Sequence, residues 1–207
     1  MKLKRILSGI IGLPIVALIL ILGNIFVIDA FFAIVALIAI HEYFNSFKEK
    51  HKPVKWIGYM SCILIAFLHI IPEEHYLITL ALSICISIAI LFIQVVFSNM
   101  KTTVEDIMIT FFGMIYVVLF LSFIPLLQGI ENGKFLIWFI LIAAWGTDTC
   151  AYFVGCKFGK HKFSKISPKK SIEGCIGGTV GSIILGLLYT YVLPSVLEYT
   201  FFLGTTL

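Results

Sequence analysis

The residue types best suited to chemistry lie together in the stretch from Asp148 to Gly181. Asp148 stands near the end of an apolar run, where an ionised carboxylate facing lipid is costly. An acid in such a place normally faces a cavity, a partner or a substrate path. Six lysines follow it: Lys157, Lys160, Lys162, Lys165, Lys169 and Lys170. Because ammonium groups and helix amino termini bind phosphate, the stretch indicates a site for a phosphorylated ligand beside a membrane acid.

Helical spacing collects small and polar residues around Asp148. The positions three, four, seven and eleven residues later are Ala151, Tyr152, Gly155 and Gly159. These residues line one stripe with Asp148 if the helix continues that far, and small residues beside an acid and a phenol leave room for a ligand. The alternative is a structural Asp148 that is buried and paired with a lysine or a tyrosine hydroxyl on a neighbouring helix.

A helix amino terminus is predicted next to the last lysines. Ser167 before Pro168 has the order of an N-cap followed by the first helical residue, and Ser171 offers a second possible start. Lys169 and Lys170 lie beside both. Such a helix end is suited to hold a polyphosphate or a lipid phosphate through its dipole, its backbone N–H groups and the lysine charges.

Glycines fall on one face of the helix that follows. Gly174, Gly177, Gly178 and Gly181 contain two overlapping G-x-x-x-G spacings. Such a face commonly packs closely against another helix. The alternative is that a ligand approaches the bare backbone.

The composition shows what kind of protein must position these residues. Charged residues make up 13% of the chain and hydrophobic residues 60%, and the mean hydropathy is +1.09, whereas a soluble domain is about one-quarter charged. The five cysteines show no metal-ligand spacing, which argues against a zinc site or a disulfide framework. We expect an all-α polytopic membrane protein in which residues 1–207 form a single membrane domain.

Seven apolar segments are predicted to span the membrane, because each approaches the length needed to cross the hydrocarbon. They are Leu7–Leu22, Ala30–Phe44, Trp56–Ile71, Leu77–Phe97, Ile107–Leu127, Phe135–Phe153 and Ile176–Leu193. Tyr199–Leu207 resembles the start of an eighth span. The amino-terminal spans thus occupy residues 7–127, and the motif-bearing region occupies residues 135–193.

The placement of lysines orients these spans. Basic residues flank both ends of the first hairpin, whose turn region is marked by Gly23, Asn24 and Asp29. Since cytoplasmic loops carry an excess of Lys and Arg, we expect a multi-pass protein of the cell membrane with its amino terminus and the Lys157–Lys170 loop in the cytoplasm. The lysine loop also has a simpler explanation, which is attraction to anionic lipid headgroups.

Three further titratable residues are assigned no chemistry. Glu42 ends the second span, where a carboxylate reaches the headgroup layer at little cost. His69 and His75 show no metal spacing and are expected to be satisfied or solvated.

The chain resembles the phosphatidate cytidylyltransferases (CDP-diacylglycerol synthases) at these motifs. The matching runs are D-T-C-A-Y-F-V-G over 148–155, F-G-K-H-K-F over 158–163, I-S-P-K-K-S-I-E-G over 166–174 and I-G-G over 176–178. They are similar to the family's D-x-x-A-Y-x-x-G, F-G-K-H, S-P-x-K-[TS]-x-E-G and G-G elements in order and spacing. The acid in H-E-Y-F over 41–44 suits the family too.

The resemblance implies an enzyme that transfers a cytidylyl group from CTP to phosphatidate with Mg²⁺, giving CDP-diacylglycerol and pyrophosphate. It implies Asp148, Lys170 and Glu173 as catalytic residues, with the two acids orienting lysines or a metal. It implies a substrate-binding set made of Tyr152, Lys160, His161, Ser167, Lys169, Ser171, Gly174, Gly177 and Gly178. The expected partners are CTP, phosphatidate, membrane lipids and a second copy of the chain in a homodimer, and no nucleic acid is expected.

The family pattern also continues into a block that this sequence does not contain. That block runs S-x-x-K-R, K-D, H-G-G and D-R-x-D, and its acids are similar to metal ligands. After Asp148 the acids here are Glu173 and Glu198 alone, so the metal ligands are left unknown. We therefore expect a family member without its carboxyl-terminal part, which binds substrates and does not turn them over.

A second class of function stays open. A non-catalytic polytopic membrane protein, such as a small transporter or a subunit that binds anionic lipid, would also place lysines at the membrane surface. The sequence shows no internal repeats of the kind common in transporters.

Overall fold

The computed structural model describes residue 12 and residues 14–98, 101–130, 133–164, 167–168 and 170–204, with the backbone alone for residues 73 and 193–204. Two compact units divide the chain, Met1–Glu131 and Asn132–Leu207. The prediction of one membrane domain over residues 1–207 stays a prediction. The predicted residues 7–11 and 13 of the first span and 205–207 of the eighth lie outside the described part.

Helices make up both units. Those of the first unit are α1 (described over residues 14–22), α2 (Ile25–Phe47), α3 (Lys55–Ile65), α4 (Tyr76–Phe97), α5 (Val104–Gly113) and α6 (Phe120–Gly129), with a π-helical segment, Met114–Leu119, joining the last two. The second unit contains α7 (Gly133–Phe158) and α8 (Ile172–Gly204). The described residues pair as β-structure only at an isolated bridge between Lys162 and Ser171. The predicted all-α class is confirmed.

Five helices in the described residues are long and apolar enough to cross a membrane: Ile25–Phe47, Tyr76–Phe97, Val104–Gly129, Gly133–Phe158 and Ile172–Val192. Many of their large apolar side chains are exposed, as expected for surfaces that meet lipid. A polytopic membrane protein is therefore supported, whereas the predicted count of seven spans and part of an eighth is not confirmed. The backbone of α8 stays helical from Ile172 to Gly204, so the predicted break between residues 193 and 199 is absent.

The predicted span Trp56–Ile71 is interrupted. Helix α3 ends at Ile65, and a turn and a 3₁₀ segment, Leu68–Ile70, follow. The backbone N–H of His69 lies 3.4 Å from Asp29 Oδ2, and the His69 ring nitrogen Nδ1 lies 2.8 Å from the same carboxylate. These hydrogen bonds stabilise the non-α-helical conformation of the chain around His69, so α3 does not continue to Ile71.

The prediction that Asp29 marks a turn is wrong, because Asp29 lies inside α2. Gly23 and Asn24 are the non-helical residues between α1 and α2. The Asn24 side chain caps α2 by accepting a hydrogen bond from the Val27 N–H at 2.9 Å. Asp29 is fully buried on the helix face that forms the core of the first unit. The buried positions of that face are Ile28, Asp29, Phe32, Ala33, Ala36, Ile40 and Phe44. Asp29 therefore belongs to the packing of this unit.

Two glycines let neighbouring helices approach α2 closely. A Cβ added to Gly58 of α3 would lie 2.6 Å from the Phe44 ring, and one added to Gly113 of α5 would lie 2.6 Å from the Tyr43 ring. Real Cβ atoms do not approach so closely, so larger residues would push these helices apart. Small residues serve the same purpose generally where membrane helices pack.

A buried acid also organises the start of α5. Thr103 and Asp106 form a reciprocal capping box, in which each side chain accepts a hydrogen bond from the other's backbone N–H. Asp106 Oδ1 additionally accepts a hydrogen bond from the Lys52 N–H at 2.7 Å. This acid therefore fixes the polar segment between α2 and α3 to the start of α5.

Candidate active site

The second unit is an antiparallel helical hairpin joined through small residues. The Tyr189 hydroxyl donates to the Phe135 carbonyl at 2.9 Å at one end. At the other end, a Cβ added to Gly174 would lie 3.1 Å from the Gly155 Cα. Residues that follow one another along α7 thus meet α8 in reverse order. The pairing places the two motif-bearing ends, Asp148–Phe158 and the start of α8, side by side.

The glycine face of α8 packs on α7. A Cβ added to Gly178 would lie 2.9 Å from the Thr147 carbonyl oxygen, and one added to Gly177 would lie 2.5 Å from Val154. The packing interpretation of the glycines is therefore confirmed. The structure places Gly174, Gly177 and Gly178 against a neighbouring helix, and their part in substrate binding stays a prediction.

Helix α8 begins at the second of its two predicted starts. Ser171 precedes the first helical residue, and its hydroxyl oxygen accepts a hydrogen bond from the Gly174 N–H at 3.2 Å, which is the geometry of an N-cap. Ser167 and Pro168 lie in a turn, in which the Lys170 N–H donates to the Ser167 carbonyl at 3.1 Å. Lys169 lies outside the described residues.

Glu173, in the first turn of α8, contacts the chain that leaves α7. Its carboxylate accepts hydrogen bonds from the backbone N–H groups of Lys160 and His161, each at 3.2 Å. It also lies 2.6 Å from His161 Nδ1. Its described partners are thus a histidine and two backbone groups, and the expectation that Glu173 orients lysines or a metal stays a prediction.

An open cleft of about 530 Å³ lies between the facing ends of the two helices. It is lined by Thr147, Asp148, Ala151, Tyr152, Gly155, Cys156, Lys170, Ser171, Cys175 and Thr179. The structure therefore brings together Asp148, Tyr152, Lys170 and Ser171 of the predicted site. The predicted stripe is present too, because Asp148, Ala151, Tyr152 and Gly155 all line this cleft. The remaining predicted stripe residue, Gly159, lies against the Ser171 side chain.

Asp148 is exposed rather than buried. Within the described residues neither a hydrogen-bond nor an ion-pair partner of its carboxylate is found. The interpretation of Asp148 as a buried residue that holds the bundle together is therefore wrong for this part of the chain. An exposed acid on a membrane helix that borders an open cleft is placed to meet a ligand.

Four cleft residues were missed by sequence reasoning: Thr147, Cys156, Cys175 and Thr179. A signal for two of them existed, because Ser171, Cys175 and Thr179 recur every four residues and so share a helix face. The cysteines are free thiols, and the cleft exposes Cys156.

No group of three or more His, Cys, Asp or Glu side chains that could hold a metal is found among the described residues. Mg²⁺ is commonly bound by only one or two carboxylates together with phosphates of the substrate. The single carboxylate of Asp148 fits that arrangement, whereas the Glu173 carboxylate is occupied by its own loop.

Comparisons with known proteins agree with the motifs. A model of the cytidylyltransferase family matches residues 3–207. A phosphatidate cytidylyltransferase of Staphylococcus aureus (strain COL) is 31% identical over 208 residues, which cover 98% of this chain and 77% of that relative.

Two other phosphatidate cytidylyltransferases are more similar over shorter segments. The protein of Thermotoga maritima is 40% identical over 88 residues, which are 42% of this chain and 32% of the relative. That of Haemophilus influenzae is 41% identical over 61 residues, which are 29% of this chain and 21% of the relative. The matched segments thus span less than two thirds of these two proteins. Because the family model matches nearly every residue, this chain belongs to the cytidylyltransferase family.

Proposed function

We propose that this chain is a phosphatidate cytidylyltransferase, which makes CDP-diacylglycerol and pyrophosphate from CTP and phosphatidate. The proposal is supported by membership of the family and by relatives that bear this name. The observation that carries it is the cleft in which the carboxylate of Asp148 shares one space with Lys170 and Ser171. A membrane helix pair that presents an acid, a lysine and a capped helix start suits a reaction between a lipid phosphate and a nucleotide.

The reaction requires that two anions approach each other. A phosphate oxygen of phosphatidate attacks the α-phosphorus of CTP, the bond between that phosphorus and the oxygen bridging to the β-phosphate breaks, and pyrophosphate leaves. Lys170 and the amino terminus of α8 would lower the repulsion between the phosphates. The Ser171 hydroxyl caps the helix and lines the cleft, so it can also contact a phosphate oxygen.

The proposed cofactor is Mg²⁺, held by Asp148 and by phosphate oxygens of the substrate. When bound, the ion would neutralise charge on the phosphates. Asp148 is suited to this because its carboxylate is exposed on the cleft. Tyr152, which is 61% exposed and lies on the same stripe, is placed to contact the substrate.

The proposed location is the cytoplasmic membrane, with the amino terminus and the Lys157–Lys170 loop in the cytoplasm. Lys157, Lys160, Lys162 and Lys170 are all exposed, as the positive-inside rule and an anionic substrate both require. Phosphatidate would then enter from the inner leaflet and CTP from the aqueous side. Membrane lipids and a homodimer remain further proposed partners.

The test is cytidylyl transfer by the purified chain in vesicles that contain phosphatidate. Radiolabelled CTP and Mg²⁺ are added, and labelled lipid and released pyrophosphate are measured together. Lys170→Ala and Asp148→Asn should lower the formation of both products by about 10²–10³-fold. The matched controls are Lys134→Ala and Glu42→Gln, which alter a lysine and an exposed acid outside the cleft.

Two other outcomes are informative. If the chain binds CTP but forms no product, the cleft is a nucleotide-binding site and the proposed transfer reaction is not supported for residues 1–207. If vesicle binding falls steeply with salt and is indifferent to CTP and Mg²⁺, the chain is instead a protein that binds anionic lipid.

A further inference from the structure

The segment between α7 and α8 is folded back on the start of α8 by a set of short hydrogen bonds. The Phe163 N–H donates to the Lys170 carbonyl at 2.8 Å, and the Ile172 N–H donates to the His161 carbonyl at 2.9 Å. Lys162 and Ser171 pair as an isolated antiparallel bridge between them. The backbone of Lys170 and Ser171, two residues of the cleft, is therefore held by residues 161–163.

Glu173 connects this segment to the helix. An ionised carboxylate has about four acceptor sites on its two oxygens. In Glu173 the contacts fill them: Oε1 accepts from the backbone N–H and Nδ1 of His161, and Oε2 accepts from the backbone N–H groups of Lys160 and His161. The side chain is only 26% exposed, whereas that of His161 is 75% exposed. The carboxylate thus has little capacity left for a metal or a substrate.

We infer that Glu173 is a positioning residue, which clamps residues 160–163 onto α8 and so holds Lys170 and Ser171 at the cleft, without touching substrate itself. Because His161 Nδ1 donates to the carboxylate, Nε2 is the ring nitrogen of His161 that can bind another group. The inference rests on the proposed function only in assigning a phosphorylated substrate to Lys170. Its structural part, the clamp, is independent of any activity.

The clamp can be measured by limited trypsin digestion of the full chain in detergent or vesicles. Cleavage after Lys160 and Lys162 reports how tightly the segment is held, and cleavage after Lys50, in a turn of the first unit, is the internal reference. We expect Glu173→Ala to raise cleavage at Lys160 and Lys162 about tenfold relative to Lys50, since several hydrogen bonds to one charged group are lost. Glu173→Gln, which keeps an acceptor oxygen, should raise it less.

Asp148→Asn is the matched control, because it removes an acid from the cleft and leaves the clamp intact. Trypsin should cleave the Asp148→Asn variant at the same rate as the unaltered chain, although the variant loses cytidylyl transfer. If the unaltered chain is inactive, the digestion still tests the clamp. The inference about Glu173 and the proposed function are therefore tested by separate measurements, the first by cleavage and the second by cytidylyl transfer. Unchanged cleavage in both Glu173 variants would overturn the inference.

Kinetics separate positioning from catalysis in an active chain. Loss of the clamp should raise the KM for CTP in Glu173→Ala more than it lowers kcat, with Glu173→Gln retaining an intermediate KM. The Mg²⁺ concentration for half-maximal rate should not change in Glu173→Gln. The inference would also be overturned if Glu173→Gln lost as much rate as Glu173→Ala and needed more Mg²⁺ for half-maximal rate. That result would show that the carboxylate binds metal.

Discussion

Three aspartates, Asp29 and Asp106 in the first unit and Asp148 in the second, differ sharply in their surroundings. In the first unit Asp29 and Asp106 are buried, and each is surrounded by donors. In the second unit Asp148 is exposed on an open cleft with no partner found among the described residues. An acid in an apolar chain is therefore not by itself evidence of chemistry, and its partners distinguish a structural acid from a functional one.

The Asp29 pair shows why a structural acid needs a specific partner. Both Asp29 and the His69 side chain are almost inaccessible, with side-chain exposures of 0% and 5%. Removing a carboxylate from water costs several kcal/mol, and this cost is recovered only when donors meet it with good geometry. The other ring nitrogen of His69, Nε2, is buried without a hydrogen-bond partner in the described chain. The described contacts of the pair are therefore those from Nδ1 and from the His69 backbone N–H to the Asp29 carboxylate.

Asp29→Ala should have the largest effect on stability. It leaves the His69 ring buried without its acceptor, and breaking a buried pair in this way typically costs about 3–5 kcal/mol. The free energy of unfolding, measured by denaturant titration in detergent, should fall by that amount. Asp148→Ala is the control and should stay within about 0.5 kcal/mol. Equal losses in the two variants would contradict the contrast between the units.

Asp148→Asn should have the largest effect on activity. Loss of one electrostatic contact to the transition state commonly costs about 10²–10³ in rate, and we expect a fall of this size in cytidylyl transfer with stability unchanged. Glu42→Gln, at an exposed acid of the first unit, should retain the full rate. The interpretation of Asp148 fails if its variant loses stability and keeps its rate.

Gly178→Ala should weaken the helical hairpin. The new methyl group would lie 2.9 Å from both the Thr147 carbonyl oxygen and the Ala151 Cβ, and overpacking of this kind costs about 1–3 kcal/mol. Gly186→Ala is the matched control, because among the described residues its methyl group would meet only the Phe139 ring, at 3.3 Å. Thermal unfolding of the two variants side by side measures the difference, and equal midpoints would contradict close packing at Gly178.

Thr103→Ala should have the smallest effect. It removes the hydroxyl oxygen that accepts the Asp106 N–H, and loss of such a cap costs about 1 kcal/mol. Asp106 keeps its hydrogen bond from Lys52, so the first unit should remain folded. Thr190→Ala, at an exposed threonine whose hydroxyl donates within its own helix, should leave the unfolding free energy nearly unchanged. If Thr103→Ala lowered the free energy of unfolding as much as Asp29→Ala, the expectation that the capping box stabilises only the start of α5 would be wrong.

Sequence reasoning identified the right fold class, and several residues of the stretch that it singled out line one cleft. Low charge and long apolar runs require helices in a membrane, because hydrocarbon cannot hydrogen-bond an exposed backbone. The spacing from Asp148 through Gly155 correctly predicted a shared stripe, since helical periodicity is local. It also included Ser171 among two helix starts. The choice between Ser167 and Ser171 required the pairing of residues 161–163 with 170–172, which the local sequence does not show.

Only the tertiary structure decided which side chains meet across long distances. Asp29 and His69 are 40 residues apart, and Glu173 lies 12 residues from His161. Sequence analysis treated Asp29 as a turn marker and Glu173 as a partner of lysine or metal, because an acid's partner depends on which helices pack together. The face of an apolar helix is not marked by polarity, so packing could not be deduced from periodicity. Composition and local spacing therefore determined the membrane helices and the motif, whereas three-dimensional packing determined which acids are buried among donors and which one borders the cleft without a partner in the described residues.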